Sequence, residues 1–291
     1  MKKIRASVLA SLIIVFASSI ILSKDMGIIT ICGEEVGWDG SHIIEPESDL
    51  PIQSMSFSDF GDGLFVDQYA VSVDSYILEE GKITQTQVVH IHSSNPGKTV
   101  YVVGGIHGDE RAGWYAGLLL GSATISSGDL YVLAPANSTG ARNLSRYVSG
   151  TQDLNRNFPG SADGNDVQQL AYAIFSDIKR ADPDIVLDLH EAIIYSPAKR
   201  DFLGSTFIFT ELDGIEDLFF DMLFSTQDGT LCHNEFGYNG PGPAGSINRT
   251  VADSLGIPAI TVETFRGFDI RRRVCDQLEV VQFVLQYYGM R

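Results

Sequence analysis

Apolar residues recur along the chain with two different periods, and these predict short strands alternating with helices. Short runs rich in β-branched residues are typical of buried strands, and apolar positions three or four residues apart are typical of amphipathic helices. The strand pattern covers residues 69–73, 88–92, 99–103, 130–134, 184–189 and 258–262. The helix pattern covers residues 111–121, 167–180, 215–226, 247–255 and 273–288. The alternation predicts an α/β protein with helices on both faces of a sheet.

Polar residues stand at or just after the carboxyl ends of three predicted strands. These residues are His107, His190 and Glu263. Ligand sites in open α/β sheets lie at this edge, so we expect the functional site there. The chain has no P-loop, no dinucleotide-binding glycine motif and no G-x-S-x-G elbow, which argues against the chemistries that those motifs serve.

A glycine-rich turn with the sequence G-G-I-H-G-D-E joins a predicted strand to a predicted helix. Its His107 and Glu110 offer one nitrogen and one oxygen ligand, and His190 completes a set that suits zinc and leaves a position for water. A lone H-x-x-E pair also arises by chance, and a strand-end histidine also serves structural roles. Asp188 alternates onto the same side of its strand as His190, where it either orients that ligand or makes an ordinary buried contact.

One strand-end acid and one loop supply further candidates for chemistry. Glu263 follows a buried strand, where a partly desolvated carboxylate acts as a general base towards water or as a structural acid. The loop 137–165 clusters three arginines in a chain with few basic residues. Within it, Arg156 offers a planar fork for a carboxylate, and Asn155 adds a neutral donor. Arg146 is suited to stabilising a developing oxyanion.

The composition narrows the range of partners. The 291 residues are 44% hydrophobic, enough for a large core, and they carry a net charge of −17. We expect no nucleic-acid partner, because phosphate binding needs a basic surface. Cys32, Cys232 and Cys275 have no zinc-ribbon or redox spacing. In an exported protein, a disulfide between Cys232 and Cys275 is an option.

The N-terminus has the pattern of a targeting segment. The basic residues Lys2, Lys3 and Arg5 precede the uncharged apolar run 6–22. This pattern predicts export through a signal peptide or an N-terminal membrane anchor, with the catalytic portion outside the cytoplasm. A buried core helix is the alternative. The predicted organisation is a targeting segment, a linker with a β-rich region, and a catalytic domain, at 1–27, 28–97 and 98–291.

Four short motifs occur in a fixed order: H-G-D-E at 107–110, D-L-N-R-N-F at 153–158, D-L-H at 188–190 and V-E-T at 262–264. In this order they resemble the zinc carboxypeptidase superfamily. The residues around the first and last motifs resemble its succinylglutamate desuccinylase/aspartoacylase branch more than its digestive carboxypeptidases. The resemblance covers roughly residues 98–291. It implies a three-layer α/β/α fold around a mixed, mostly parallel central sheet.

The resemblance also implies a metal centre and a base. It implies a single zinc ion per chain, held by His107, Glu110 and His190. It further implies that Glu263 activates the attacking water. We therefore expect a zinc-dependent amide hydrolase of the deacylase type.

The substrate-binding residues follow from the same resemblance. Asn155 and Arg156 resemble the pair that holds a substrate carboxylate, and Arg146 resembles the arginine that polarises the scissile carbonyl. Tyr238, in a Gly- and Pro-rich loop, is the candidate for a substrate-capping tyrosine. The expected substrate is a small molecule or peptide with a free carboxylate. An exported metallocarboxypeptidase and a non-catalytic zinc-containing binding protein are the alternative hypotheses.

Overall fold

The computed structural model describes residues 28–31, 34–37, 50–193, 204–210 and 214–291. The predicted targeting run 6–22 and Cys32 lie outside the described residues. The chain divides into two compact units, Met1–Ser48 and Asp49–Arg291. In the first unit, strands β1 (Ile28–Ile31) and β2 (Glu34–Gly37) pair antiparallel.

The second unit is built on an eight-stranded mixed sheet. Its strands are Val71–Leu78 (β3), Thr86–Ser93 (β4), Thr99–Gly104 (β5), Asp129–Leu133 (β6), Ile185–Ala192 (β7), Thr206–Phe209 (β8), Gly237–Asn239 (β9) and Ala259–Phe265 (β10). The spatial order is β3-β4-β6-β5-β7-β10-β8-β9. The central run β6-β5-β7-β10 is parallel, and β8 pairs parallel with β9. The remaining neighbours, β3 with β4, β4 with β6 and β8 with β10, are antiparallel.

Helices cover both faces of this sheet. They are Arg111–Leu120 (α1), Ser138–Asn143 (α2), Asp166–Ala181 (α3), Glu216–Gln227 (α4), Ile247–Leu255 (α5) and Ile270–Tyr287 (α6). Helices α1 and α4 both contact α6, whereas α3 contacts α5. In β5, Tyr101 and Val103 belong to the core under α3 and α5. Their neighbours Val100 and Val102 are equally buried, and alternation along a strand points them to the opposite layer. The predicted three-layer fold with a mixed, mostly parallel sheet is confirmed.

A close backbone contact brings helix α1 onto strand β7. A Cβ atom at Gly113 in α1 would overlap the carbonyl oxygen of Leu189 in β7. The absence of that atom lets α1 lie directly on the strand that ends near His190. Helix α1 therefore begins close to the carboxyl end of β7, and the preceding turn lies at that edge of the sheet.

Three features differ from the pattern-based expectations. Strand β8 was not predicted, and β9 lies in a segment predicted as loop. The loop 137–165 contains α2 and a short 3-10 helix at Leu154–Arg156. The strands β3 and β4, predicted to belong to a region separate from the catalytic domain, are part of its sheet. The second compact unit spans Asp49–Arg291 and includes both strands.

Two further expectations concern the cysteines and the membrane. Cys232 and Cys275 are buried free thiols, so no disulfide joins them. Their sulfur atoms point to different acceptors, since Cys232 Sγ donates to the Asp276 carbonyl at 3.5 Å and Cys275 Sγ to Glu279 Oε1 at 3.7 Å. Among the helices that the structure describes, none combines the length and apolar character needed to cross a bilayer.

Candidate active site

The side chains selected from the sequence meet at one cavity at the carboxyl edge of the parallel strands. The cavity has a volume of about 280 Å³. Its wall includes all seven of them: His107, Glu110, Arg146, Asn155, Arg156, His190 and Glu263. They come from the turn after β5, the loop 137–165, and the ends of β7 and β10.

Glu110 lies at the centre of the candidate metal ligands. Its Oε1 is 2.6 Å from Nδ1 of His107, and its Oε2 is 2.7 Å from Nδ1 of His190. All three residues are buried, and one ligand atom from each lies within 4.8 Å of the others. The backbone N–H of Glu191 also donates to Glu110 Oε2 at 3.0 Å. Two imidazole nitrogens and a carboxylate are a donor set that fits a zinc ion with an open position.

A second carboxylate orients each histidine from its far side. The Nε2 atom of His107 is 3.0 Å from Asp153 Oδ1, and Nε2 of His190 is 3.0 Å from Asp188 Oδ2. Such outer carboxylates fix the ring orientation of a metal-binding histidine. The contact of Asp188 with His190 was one of the two alternatives for Asp188. Asp153 was missed, although it stands in the D-L-N-R-N-F motif.

Opposite charges on the candidate ligands and their carboxylate partners stabilise one another, although these groups are buried. Burial opposes ionisation of Glu110, but the charges of His107 and His190 and their hydrogen bonds hold its pKa well below the ordinary value. Burial likewise opposes protonation of His190, yet the carboxylates of Asp188 and Glu110 raise its pKa well above the ordinary value. The cluster therefore balances acidic and cationic groups, which is the condition for keeping ionised groups in a dry site.

The pKa of Glu263 is raised, whereas that of Glu110 is lowered. The parallel register of β10 with β7 sets Glu263 opposite His190. Burial raises the pKa of Glu263 to about 7, with His190 opposing the shift and Glu110 adding to it. A carboxylate with a pKa near neutrality can both accept and return a proton.

The cationic wall consists of two arginines in different situations. Arg146 is half-buried, and its guanidinium donates to Asp153 Oδ2 at 2.8 Å and to Glu110 Oε1 at 3.3 Å. Burial lowers the pKa of Arg146, but Glu110 and Asp153 outweigh burial and raise it. Arg156 is exposed, and its Nη1 donates to the carbonyl of Asn155 at 2.6 Å. The Arg156 fork is therefore the one open to an incoming anion.

Asn155 is held rigidly between two elements. Its Oδ1 accepts from the backbone N–H of Ile247 at the start of α5 at 2.9 Å, and its Nδ2 lies 3.3 Å from Nε2 of His190. Tyr238 is 45% exposed and is absent from the cavity wall. It packs instead against the ring of Phe219. The predicted capping role of Tyr238 has no support from this position.

Residues 96–200 match the family model for the succinylglutamate desuccinylase/aspartoacylase catalytic domain. The predicted family resemblance is confirmed. The matched span of this desuccinylase/aspartoacylase domain contains the three candidate metal ligands, Arg146, Asn155 and Arg156. Glu263 lies beyond it. No curated protein sequence matches the chain.

Solved structures share the fold at low sequence identity. A succinylglutamate desuccinylase from Silicibacter sp. TM1040 is 20% identical with a TM-score of 0.56, over 77% of this chain and 68% of that one. The product-bound ectoine utilization protein EutE (DoeB) from Ruegeria pomeroyi is 20% identical with a TM-score of 0.57, over 77% and 69%. The product-bound cell shape determinant protein from Helicobacter pylori is 18% identical with a TM-score of 0.60, over 76% and 56%. These likenesses establish the fold.

Proposed function

We propose that this protein is a zinc-dependent amide hydrolase of the desuccinylase/aspartoacylase type, acting on a substrate with a free carboxylate. The observation that carries the proposal is the convergence of three kinds of group on one cavity. These are a His-Glu-His donor set, a carboxylate whose pKa lies near neutrality, and an exposed arginine fork. A binding protein for an anion would need only the last of them.

His107, Glu110 and His190 would hold the zinc ion, and Asp153 and Asp188 would keep both rings in the binding orientation. When bound, zinc supplies a Lewis acid that polarises a carbonyl and lowers the pKa of water. The Glu191 N–H donates to Glu110 and so holds the ligand carboxylate in place. The metal site thus rests on side chains that are already positioned by hydrogen bonds.

Glu263 would act as the general base and then as the general acid. Its burial makes the charged form costly, so its affinity for a proton is higher than that of an exposed glutamate. It can therefore take a proton from the attacking water and return it to the leaving nitrogen within one cycle. Its position opposite His190 keeps this proton transfer beside the metal ligands.

Arg156 and Asn155 would hold the substrate carboxylate. Arg156 provides the charged fork, and its hydrogen bond to the Asn155 carbonyl directs the guanidinium along the cavity wall. Arg146 stays ionised beside Glu110 and Asp153, which lets it face negative charge that develops on the scissile carbonyl. Glu110 and Asp153 already neutralise part of the positive charge of Arg146. We therefore expect substitution of Arg146 to lower kcat less than substitution of Glu263.

The decisive experiment combines metal content with turnover. Glu263→Gln should retain zinc at the wild-type level while kcat falls by about 10²–10⁴-fold, because only proton transfer is removed. His107→Ala should lose activity together with the zinc bound at the cavity. Turnover by Glu263→Gln at the wild-type rate, with zinc bound, would refute the general-base role.

A substrate panel tests the carboxylate anchor and separates the two enzymatic hypotheses. Arg156→Ala should raise KM for carboxylate-bearing substrates, whereas Arg142→Ala, in the same loop but bonded to the Ile83 carbonyl, should not. Hydrolysis of N-acyl amino acids in preference to peptides supports the deacylase. Cleavage of peptides with free but not amidated C-termini supports the metallocarboxypeptidase.

The metallocarboxypeptidase alternative is favoured by one comparison. The cell shape determinant protein from Helicobacter pylori, which shares this fold, has been solved with a bound tripeptide. An exported location, which the basic residues ahead of 6–22 support, would also bring the enzyme to peptides outside the cytoplasm. Fractionation of cells producing the full chain would test that location. Bound zinc without hydrolysis of any panel member would favour the non-catalytic binding protein.

A further inference from the structure

A second group of metal-ligating side chains lies away from the active-site cavity. It sits where the loop after α4 packs against the first half of α6. Its members are Cys232, His233, Cys275, Asp276 and Glu279. None of them lines the active-site cavity. We refer to this group as the loop–helix cluster.

The two elements are already joined through the cluster. His233 contacts Asp276 Oδ1 twice, with its backbone N–H at 2.9 Å and its Nδ1 at 2.7 Å. The backbone N–H of Cys232 donates to Glu279 Oε2 at 2.7 Å. The loop is therefore held by carboxylates of α6, and it presents both a thiol and an imidazole to that helix.

The donors of the cluster form two sets of three, and the spacing within each set suits a metal ion. His233, Cys275 and Glu279 form one set of ligand atoms within 4.8 Å, and Cys232, Asp276 and Glu279 form another. The sets share Glu279, so both thiols lie near the same carboxylate. In a tetrahedral zinc site with bonds of about 2.0–2.3 Å, ligand atoms are roughly 3.3–3.8 Å apart. Cys275 Sγ is 3.7 Å from Glu279 Oε1, a separation within that range.

One atom of the cluster lacks a hydrogen-bond partner. Asp276 is fully buried, and its Oδ2 accepts no hydrogen bond from the described residues. A buried carboxylate oxygen without a partner is costly, and nearby positive charge relieves that cost. The side chain of His233 is 47% exposed, so a cation can reach the cluster from solvent. The cluster thus contains a buried carboxylate oxygen without a partner and is open to solvent at His233.

The donor types decide which cation would bind. A neutral imidazole, thiolates and a carboxylate match zinc and similar thiolate-binding ions, not magnesium or calcium, which take oxygen ligands. The Cys275 thiolate and the Glu279 carboxylate balance the charge of a divalent ion, and the His233 imidazole is a neutral third ligand. We infer that the loop–helix cluster is a second metal site, in which His233, Cys275 and Glu279 bind one zinc-type ion that fastens the loop to α6.

Cobalt spectroscopy tests this site independently of the catalytic one. The full chain, reduced and freed of metal, is titrated with Co²⁺ under anaerobic conditions. Cobalt bound by thiolate gives a sulfur-to-metal charge-transfer band in the near ultraviolet. The active-site donors contain no sulfur, so this band reports only on the cysteines. We expect the band in the wild type and in His107→Ala, and its reduction in Cys275→Ser.

Matched variants exclude adventitious binding. Cys32→Ser leaves the thiols of the cluster unchanged and should keep the band. His233→Gln should weaken zinc binding by more than about ten-fold, the scale seen when groups around a metal are removed. His92→Gln, a change at a histidine distant in the sheet, should not alter it. His233 is half exposed, so its variant should fold.

Three results would overturn the inference. The first is an absent band in reduced wild type. The second is a band that survives Cys275→Ser and disappears in Cys32→Ser. The third is a Cys232–Cys275 disulfide found by peptide mapping of the non-reduced purified chain. Loss of activity and of one zinc equivalent in His107→Ala, with the cobalt band retained, separates the outcome here from that of the proposed catalytic function.

Discussion

Glu191 and Arg273 form an ion pair in the interior behind the candidate metal ligands, and removal of the arginine should measure its importance. Arg273 Nη1 in α6 donates to Glu191 Oε1 in β7. The two residues are 1% and 3% exposed. The other Glu191 oxygen accepts from the backbone N–H of Ala112 at 3.0 Å. Arg273→Met keeps most of the buried volume and leaves Glu191 without its partner.

The expected loss follows from the burial of the remaining charge. Breaking a buried pair by removing one partner costs about 3–5 kcal/mol. Arg266 still lowers the pKa of Glu191, so we expect the lower part of that range, about 3–4 kcal/mol. At roughly 2–4 °C per kcal/mol for a domain of this size, the unfolding temperature should fall by about 6–16 °C.

The stability deficit of Arg273→Met should depend on pH, and the pKa of Glu191 gives the direction. Burial raises the pKa of Glu191 above its ordinary value even with Arg273 present. In Arg273→Met the carboxyl should bind a proton still more readily in the folded state than in the unfolded state. Protonation therefore favours folding, and the deficit relative to wild type should be smaller at about pH 5 than at about pH 8. Urea unfolding of both proteins at the two pH values measures this difference.

Two variants complete the test. Glu191→Gln/Arg273→Met removes the unpaired charge but keeps an acceptor for the Ala112 N–H, so it should recover most of the lost stability. Arg271→Met, on the exposed side of the same helix, should change stability by less than about 0.5 kcal/mol. A double variant no more stable than Arg273→Met, with an equal deficit at both pH values, would show that lost packing and not the buried charge is responsible.

Two further predictions concern packing and a buried acceptor. Gly113→Ala should cost about 1–3 kcal/mol in urea unfolding, because the new methyl group meets a strand carbonyl. Gly121→Ala, at the half-buried C-cap of α1, is the control, because a methyl group there meets no atom closer than 3.3 Å. An equal loss there would contradict the packing argument. Asp177→Asn should cost about 1–3 kcal/mol, because Tyr101 Oη donates to Asp177 Oδ2 at 2.7 Å in the core. Thermal melts would measure it, and a loss no larger than in Asp163→Asn would refute it.

The sequence predicted the parts of the site that are local. His107 and Glu110 are three residues apart on one turn, and the turn follows a strand that apolar periodicity identifies. Glu263 and His190 end two such strands. Because parallel strands present their carboxyl ends at one edge, all three segments could be expected there without knowledge of their contacts.

The parts that escaped prediction depend on contacts between distant segments. The pairing of Asp153 with His107 joins a loop to a turn, and the buried pair of Glu191 with Arg273 spans 82 positions. Neither contact produces a periodic pattern of residues in the sequence. Strand β9 has only three residues, too few for alternation to show. These contacts and strand β9 depend on the packing of the whole unit. A short stretch of sequence does not include the distant residues that take part in it.

Helix α6 supports the candidate site from behind, so its docking should affect the stability of the site. Gln277 donates to the carbonyl of His190 at 2.9 Å, and Arg273 on the same helix neutralises Glu191, whose N–H holds Glu110. Proteins open locally in cooperative segments at free energies below that of global unfolding. An opening that detaches α6 would thus release the supports of two candidate metal ligands while the central strands stay paired. Inactivation by heat should then precede loss of the sheet, and the rate of inactivation should report on the docking of a single helix.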